Sequence, residues 1–300
     1  MDLEKKQQNI NTFNGFTIVS TFFFLWIAVL FDAKAEAVLG YFFIFTFGIF
    51  HGSNDLKLLE RTTSLTKHSF FARALFSYVA VVLFTAFFFS WFPTLALLFF
   101  VVASSYHFGE QHWAAHRIQS SLTTLFYTFY GLVIFFLLFY TNEQEVTPII
   151  EQVGGIAMEK EYYLYTLAVS FIGFIGIYLW WYFTGKVVVN IFKELFFLLV
   201  FYIVFKTASL LWAFSIYFVV WHSIPSLIDQ TKYLYGSFTK MSLLTYVKTS
   251  FVYWLVTMAG LAILYYFFKD TEGLFLSVMI YFLAAITFPH VIVMTRLNRP

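Results

Sequence analysis

Four histidines stand where an apolar chain has least reason to carry them. His51 opens His-Gly-Ser-Asn-Asp at 51–55, His107 lies in Tyr-His-Phe-Gly-Glu-Gln, His222 in Trp-His-Ser-Ile-Pro and His290 in Phe-Pro-His. One such imidazole, taken alone, is as readily a packing residue hydrogen-bonded to a neighbouring helix as a working group. Several together suggest a shared metal, since neutral imidazole suits Fe, Zn, Cu and Ni. There is no cysteine, which excludes thiolate sites, disulfides and cysteine nucleophiles.

The elements that must position them are membrane helices. The chain is 300 residues long, 61% hydrophobic, 24% aromatic and only 11% charged, whereas soluble domains carry about a quarter charged residues. A span needs about 20 apolar residues. The expected fold is an all-α integral membrane protein, a single bundle of about ten transmembrane helices forming one domain over 1–300. The apolar runs fall at about 15–31, 37–59, 74–90, 94–111, 122–140, 162–183, 187–205, 208–228, 243–268 and 274–295, with an acidic loop at 141–161. Lys193 and Glu194 make the seventh run the weakest of these, and the first run reads as a retained helix.

Charge sets the orientation, because cytoplasmic segments hold the excess of Lys and Arg. With both termini cytoplasmic, ten crossings leave only Lys34, Lys160, Lys206 and Lys269 outside among 18 basic residues. The net charge of +2 gives no sign of a nucleic-acid partner.

In this topology the four histidines lie on the second, fourth, eighth and tenth runs, all descending toward the cytoplasm. The first basic residue follows 6 positions after His51 (Lys57) and His290 (Arg296), and 10 after His107 (Arg117) and His222 (Lys232). At about 1.5 Å per residue the imidazoles fall within roughly 6 Å of one depth. Packing alone rarely matches four polar groups on four helices, and intramembrane polar groups are functional candidates by default. A redox-capable iron with open positions fits four neutral nitrogens, whereas a closed tetrahedral zinc leaves no position for chemistry.

Negative charge should lie near such an ion. Asp55 is one turn below His51, and Glu110 and Gln111 follow His107 by three and four residues; such groups fix the tautomer of a ligating imidazole, or they merely end helices near the interface. Pro225 and Pro289 deprive carbonyls near His222 and His290 of helical partners. His68 lies in a basic loop, and His112 and His116 form an H-x-x-x-H pair that reads as interfacial.

His-Gly-Ser-Asn-Asp at 51–55, His-Phe-Gly at 107–109, Trp-His at 221–222 and Pro-His at 289–290 resemble, in this order, the Brp/Blh family of β-carotene 15,15'-dioxygenases over nearly the whole chain. The resemblance implies cleavage of the central double bond of β-carotene with O2 at a non-haem Fe(II), giving two all-trans-retinal. It implies iron ligation by His51, His107, His222 and His290, a multi-pass location in a bacterial inner membrane, and a functional link to a microbial rhodopsin that uses the retinal. No catalytic residue beyond the metal centre is needed for the first step. Asp55 and Glu110 are the expected supporting carboxylates, and the substrate-lining residues are not assigned. The rivals are a transporter with an intramembrane histidine pathway for protons or metal ions, and a haem- or quinone-linked oxidoreductase.

Overall fold

A computed structural model describes residues 2–61, 67–116, 118, 120–187, 189–268 and 274–297, with side chains at 15–61, 72–114, 116, 118, 120–187, 189–268 and 277–297. The side chains of Lys5, Lys6, Lys67 and His68, and residues Arg117, Lys269 and Arg299, which entered the charge argument or the histidine inventory, lie outside these residues. Among the described residues there is no strand. The helices are α1 (Asp2–Leu30), α2 (Ala33–Arg61), α3 (Lys67–Trp91), α4 (Pro93–Trp113), α5 (Thr123–Thr141), α6 (Glu143–Gly154), α7 (Lys160–Phe183), α8 (Ile191–Thr207), α9 (Leu210–Tyr235), α10 (Lys240–Phe268) and α11 (Leu274–Leu297).

Among the described residues seven of these, α2, α3, α5, α7, α9, α10 and α11, are long and apolar enough to cross a membrane. The chain is therefore a multi-pass membrane protein. In α1 the apolar part is the shorter Gly15–Leu30. Helix α4 carries Ser104, Ser105, His107, Glu110, Gln111 and His112, and α8 carries Lys193 and Glu194; the polar groups that lower their hydropathy are largely turned into the protein.

The 141–161 segment departs from the expected acidic loop. Most of it is helix α6, whose Val146, Ile150 and Val153 are buried. These positions follow helical spacing, but Pro148 and the surrounding glutamates obscure it. Asn142 Nδ2 donates to the Phe205 carbonyl at 2.9 Å, Thr94 Oγ1 to the Gly154 carbonyl at 2.5 Å, and the Tyr281 hydroxyl to the Val153 carbonyl at 3.2 Å. The short helix is thereby tied to α8, α4 and α11.

Two histidine-bearing helices are widened, α9 at His222 and α2 just before His51. Residues 44–48 of α2 and 217–223 of α9 form π-type turns, which insert extra backbone into a helix and recur at functional sites. In α9 the widening ends just before Pro225, which starts the next regular turn, while Pro289 sits inside a continuous α11. Helix α2 is interrupted again at Ser53 and Asn54. At its N-terminal end, Asp32 caps α2 by accepting from the Ala35 amide, while Glu36 accepts from the Ser209 amide beside the start of α9.

Candidate metal centre

The structure brings His51, His107, His222 and His290 together. Ring centroids are 5.1 Å apart for His51–His222, 4.9 Å for His51–His290, 4.9 Å for His107–His222 and 5.1 Å for His107–His290, each pair nearly perpendicular. The four imidazoles close a ring, with His51 opposite His107. All four residues are at most 5% exposed. A ring of that edge has its centre about 3.5 Å from each centroid, and a nitrogen-bound metal at about 2.1 Å lies a little over 3 Å from the centroid of its imidazole.

The donor chemistry fits as well. His51 Nδ1, both nitrogens of His107, His222 Nδ1 and His290 Nε2 are buried without a hydrogen-bond partner, an arrangement proteins avoid unless something else satisfies the atoms. Among the described residues no three His, Asp or Glu side chains already have their donor atoms gathered as a bound metal would hold them.

Asp55 supports a different histidine from the one its spacing suggests. The break at Ser53–Asn54 takes Asp55 off the face of His51, and His290 Nδ1 donates to Asp55 Oδ1 at 2.8 Å. That bond leaves Nε2 of His290 for the centre. The Tyr78 hydroxyl donates to the other carboxylate oxygen at 3.4 Å. Gly52 lies against the same imidazole: a Cβ there would meet His290 Nδ1 at 3.5 Å, an ordinary packing distance. Asn54 crosses to α10, donating to Ser250 Oγ at 2.6 Å, and the Tyr246 hydroxyl shares its proton between the His51 carbonyl at 3.0 Å and Gln230 Oε1 at 2.8 Å. His-Gly-Ser-Asn-Asp thus holds one ring residue, a bend at Ser53–Asn54, one anchor and one carboxylate bonded to His290. Asp55→Asn should keep the fold and weaken metal binding about 10- to 100-fold, read by metal titration of the purified protein.

Glu110 lies beside His107 without a hydrogen bond to it. Its Oε2 is 3.9 Å from His107 Nδ1, beyond hydrogen-bond range, while Oε1 accepts from the Tyr106 hydroxyl at 2.9 Å. Gln111 points elsewhere, donating to Asp229 Oδ2 at 3.2 Å. Phe108 lies 4.4 Å from the His222 ring and Phe218 stacks on it at 5.5 Å, fixing that imidazole between aromatic surfaces.

The ring opens into a cavity of about 580 Å³. Its wall is apolar nearly throughout, with Leu97, Phe100, Val101, Phe214, Leu283 and Ile286 leading away from the histidines. The family model for β-carotene 15,15'-dioxygenase matches residues 42–298, a stretch that takes in all four histidines and the cavity's principal wall helices. The chain belongs to the β-carotene 15,15'-dioxygenase family. No curated protein and no solved structure matches it.

In this dioxygenase-family chain the other two histidines with described side chains, His112 and His116, stay apart from the ring. His112 Nε2 is 2.7 Å from Glu194 Oε2 and 3.0 Å from the Tyr130 hydroxyl. His112 is thereby paired with the glutamate that made the seventh run look weak, the imidazole partly and the carboxylate fully buried. His116 belongs to a short 3-10 turn beyond α4. Removing one member of a buried pair costs about 3–5 kcal/mol, so Glu194→Ala should lower the melting temperature of the detergent-purified protein while its iron content stays unchanged. Tyr78, Asn54, Tyr246 and Gln230 escaped the sequence reading because a single sequence does not show which helices touch; only their polarity inside apolar runs marked them.

Proposed function

We propose that the chain binds one Fe(II) among His51, His107, His222 and His290 and cleaves the central 15,15' double bond of β-carotene with O2. The carbon–carbon double bond breaks and each of its carbons takes one oxygen atom. Two all-trans-retinal result, with no external reductant. Iron held by four neutral imidazoles supplies the means of bringing O2 into reaction with the alkene. The protein's residues do the rest: Asp55 holds His290 in one tautomer, Phe108 and Phe218 hold His222, and the apolar wall receives a stiff hydrocarbon and keeps water from it.

The observation that carries this reading is the ring of four buried imidazoles with unpartnered nitrogens, set at an apolar cavity in a member of this family. The apolar wall weighs against a proton or metal-ion transporter, which needs polar groups continuing past the histidines. We extend the proposal to ten crossings, both termini cytoplasmic, in a bacterial inner membrane, supported by the basic residues on one side.

Expression in a β-carotene-producing host tests the function. Loss of the yellow pigment with accumulation of retinal is the expected result; intact carotene beside well-expressed, iron-loaded protein would rule the reading out.

A further inference from the structure

The cavity is built asymmetrically about the histidines. On α4, α9 and α11 its lining begins at Leu97, Leu210 and Met279 and ends at or next to His107, His222 and His290. Those stretches are ten to twelve residues, about 15–18 Å at the helical rise. Beyond the ring, α2 continues the wall only to Leu56, five residues or about 7 Å past His51. The histidines therefore stand at one end of a deep arm.

The far end of that arm carries a stopper. Val146, Ile149 and Ile150 of α6 line it opposite Leu97 and Leu211. Helix α6 is pinned to three of the wall helices: to α4 by Thr94 on the Gly154 carbonyl, to α11 by Tyr281 on the Val153 carbonyl, and to α9 by the Leu210 amide donating to Glu145 Oε1 at 3.3 Å. One half of a forty-carbon carotenoid, measured from its central double bond, is nine bonds of extended chain plus a six-membered ring. At about 1.2 Å per bond that is about 15 Å. The depth of the arm matches half the substrate.

We propose that α6 is a gauge: a terminal ring seated against Val146, Ile149 and Ile150 places a double bond one half-length away beside the histidines, and this distance selects the bond that is cleaved. The inference rests on the carotenoid-cleaving reading above. The second half of the substrate is not measured; it leaves past Leu56, Tyr78 and Leu75, the last of which is 41% exposed toward lipid. Cleavage is then counted from the seated ring and not from the middle of the molecule.

Two experiments on the full-length, iron-loaded protein test this. The first needs no substitution: wild-type enzyme is given β-carotene and, separately, an apocarotenal with one ring whose open end is shortened by ten carbons. The gauge predicts the same twenty-carbon ringed aldehyde from both. A ringed fragment that shortens with the substrate, following its midpoint, overturns it. In the second, Ile149→Trp shortens the arm by about the spacing of one double bond. The expected products from β-carotene include an eighteen-carbon methyl ketone and a twenty-two-carbon aldehyde, their ratio to retinal rising about tenfold or more. Retinal alone from an active Ile149→Trp enzyme overturns the gauge while leaving the function standing. A wild-type protein that cleaves no carotenoid removes both.

Discussion

Replacing His290 with alanine is expected to lower retinal formation at least about a thousandfold and to destabilise the protein as well. The two effects have separate origins. Under the proposed function, loss of one of four ring nitrogens would open the centre on whose ion the reaction depends. The stability loss comes from Asp55, 2% exposed and bonded at 2.8 Å to His290 Nδ1. Without the imidazole this carboxylate keeps only the Tyr78 hydroxyl at 3.4 Å. A buried charge stripped of its partner costs about 3–5 kcal/mol. Adding Asp55→Asn to His290→Ala should therefore restore much of the melting temperature and none of the activity. Equal stability of the single and double variants would show that Asp55 was not held by His290.

The second large effect is expected far from any polar group. A Cβ built on Gly131 of α5 would lie 1.9 Å from the Ser105 carbonyl oxygen of α4, and one on Gly109 would lie 2.0 Å from the Tyr127 carbonyl oxygen of α5. Both obstacles are backbone, so no rotamer change relieves them, and the two helices must part. Small residues at membrane-helix interfaces exist to allow such approach. Gly131→Ala should cost about 3 kcal/mol or more and displace His107, which is two residues from Gly109, so activity falls with stability. Gly176→Ala is the contrast: nothing lies within 4 Å of its Cβ position, and alanine in a helix interior gains about 0.5–1 kcal/mol. Thermal unfolding of the two variants beside wild type in one detergent reads the difference.

These cases mark what a sequence exposes and what it hides. Helix positions were legible because an apolar run long enough to span declares itself, and the histidines stood out because an imidazole is conspicuous among phenylalanines. Their shared depth needed only the helical rise and the side on which the basic residues fall. Partners across helices were not legible. Asp55 reads as the neighbour of His51 on an unbroken helix, and only the bend at Ser53–Asn54 hands it to His290. Glu194 reads as an intrusion until His112 is found 2.7 Å away on another helix. Helix α6 was hidden for a different reason: its five glutamine and glutamate positions and Pro148 outweigh a buried face of a few residues. The same holds for His-Phe-Gly, whose glycine matters for what it lets α5 do.

The central claim is that one iron is shared by four histidines, and elemental analysis of iron per purified chain tests it most directly. Wild type and His112→Ala should each carry about one iron, while His51→Ala, His107→Ala, His222→Ala and His290→Ala each carry far less. Iron undiminished in the four ring variants would contradict the account.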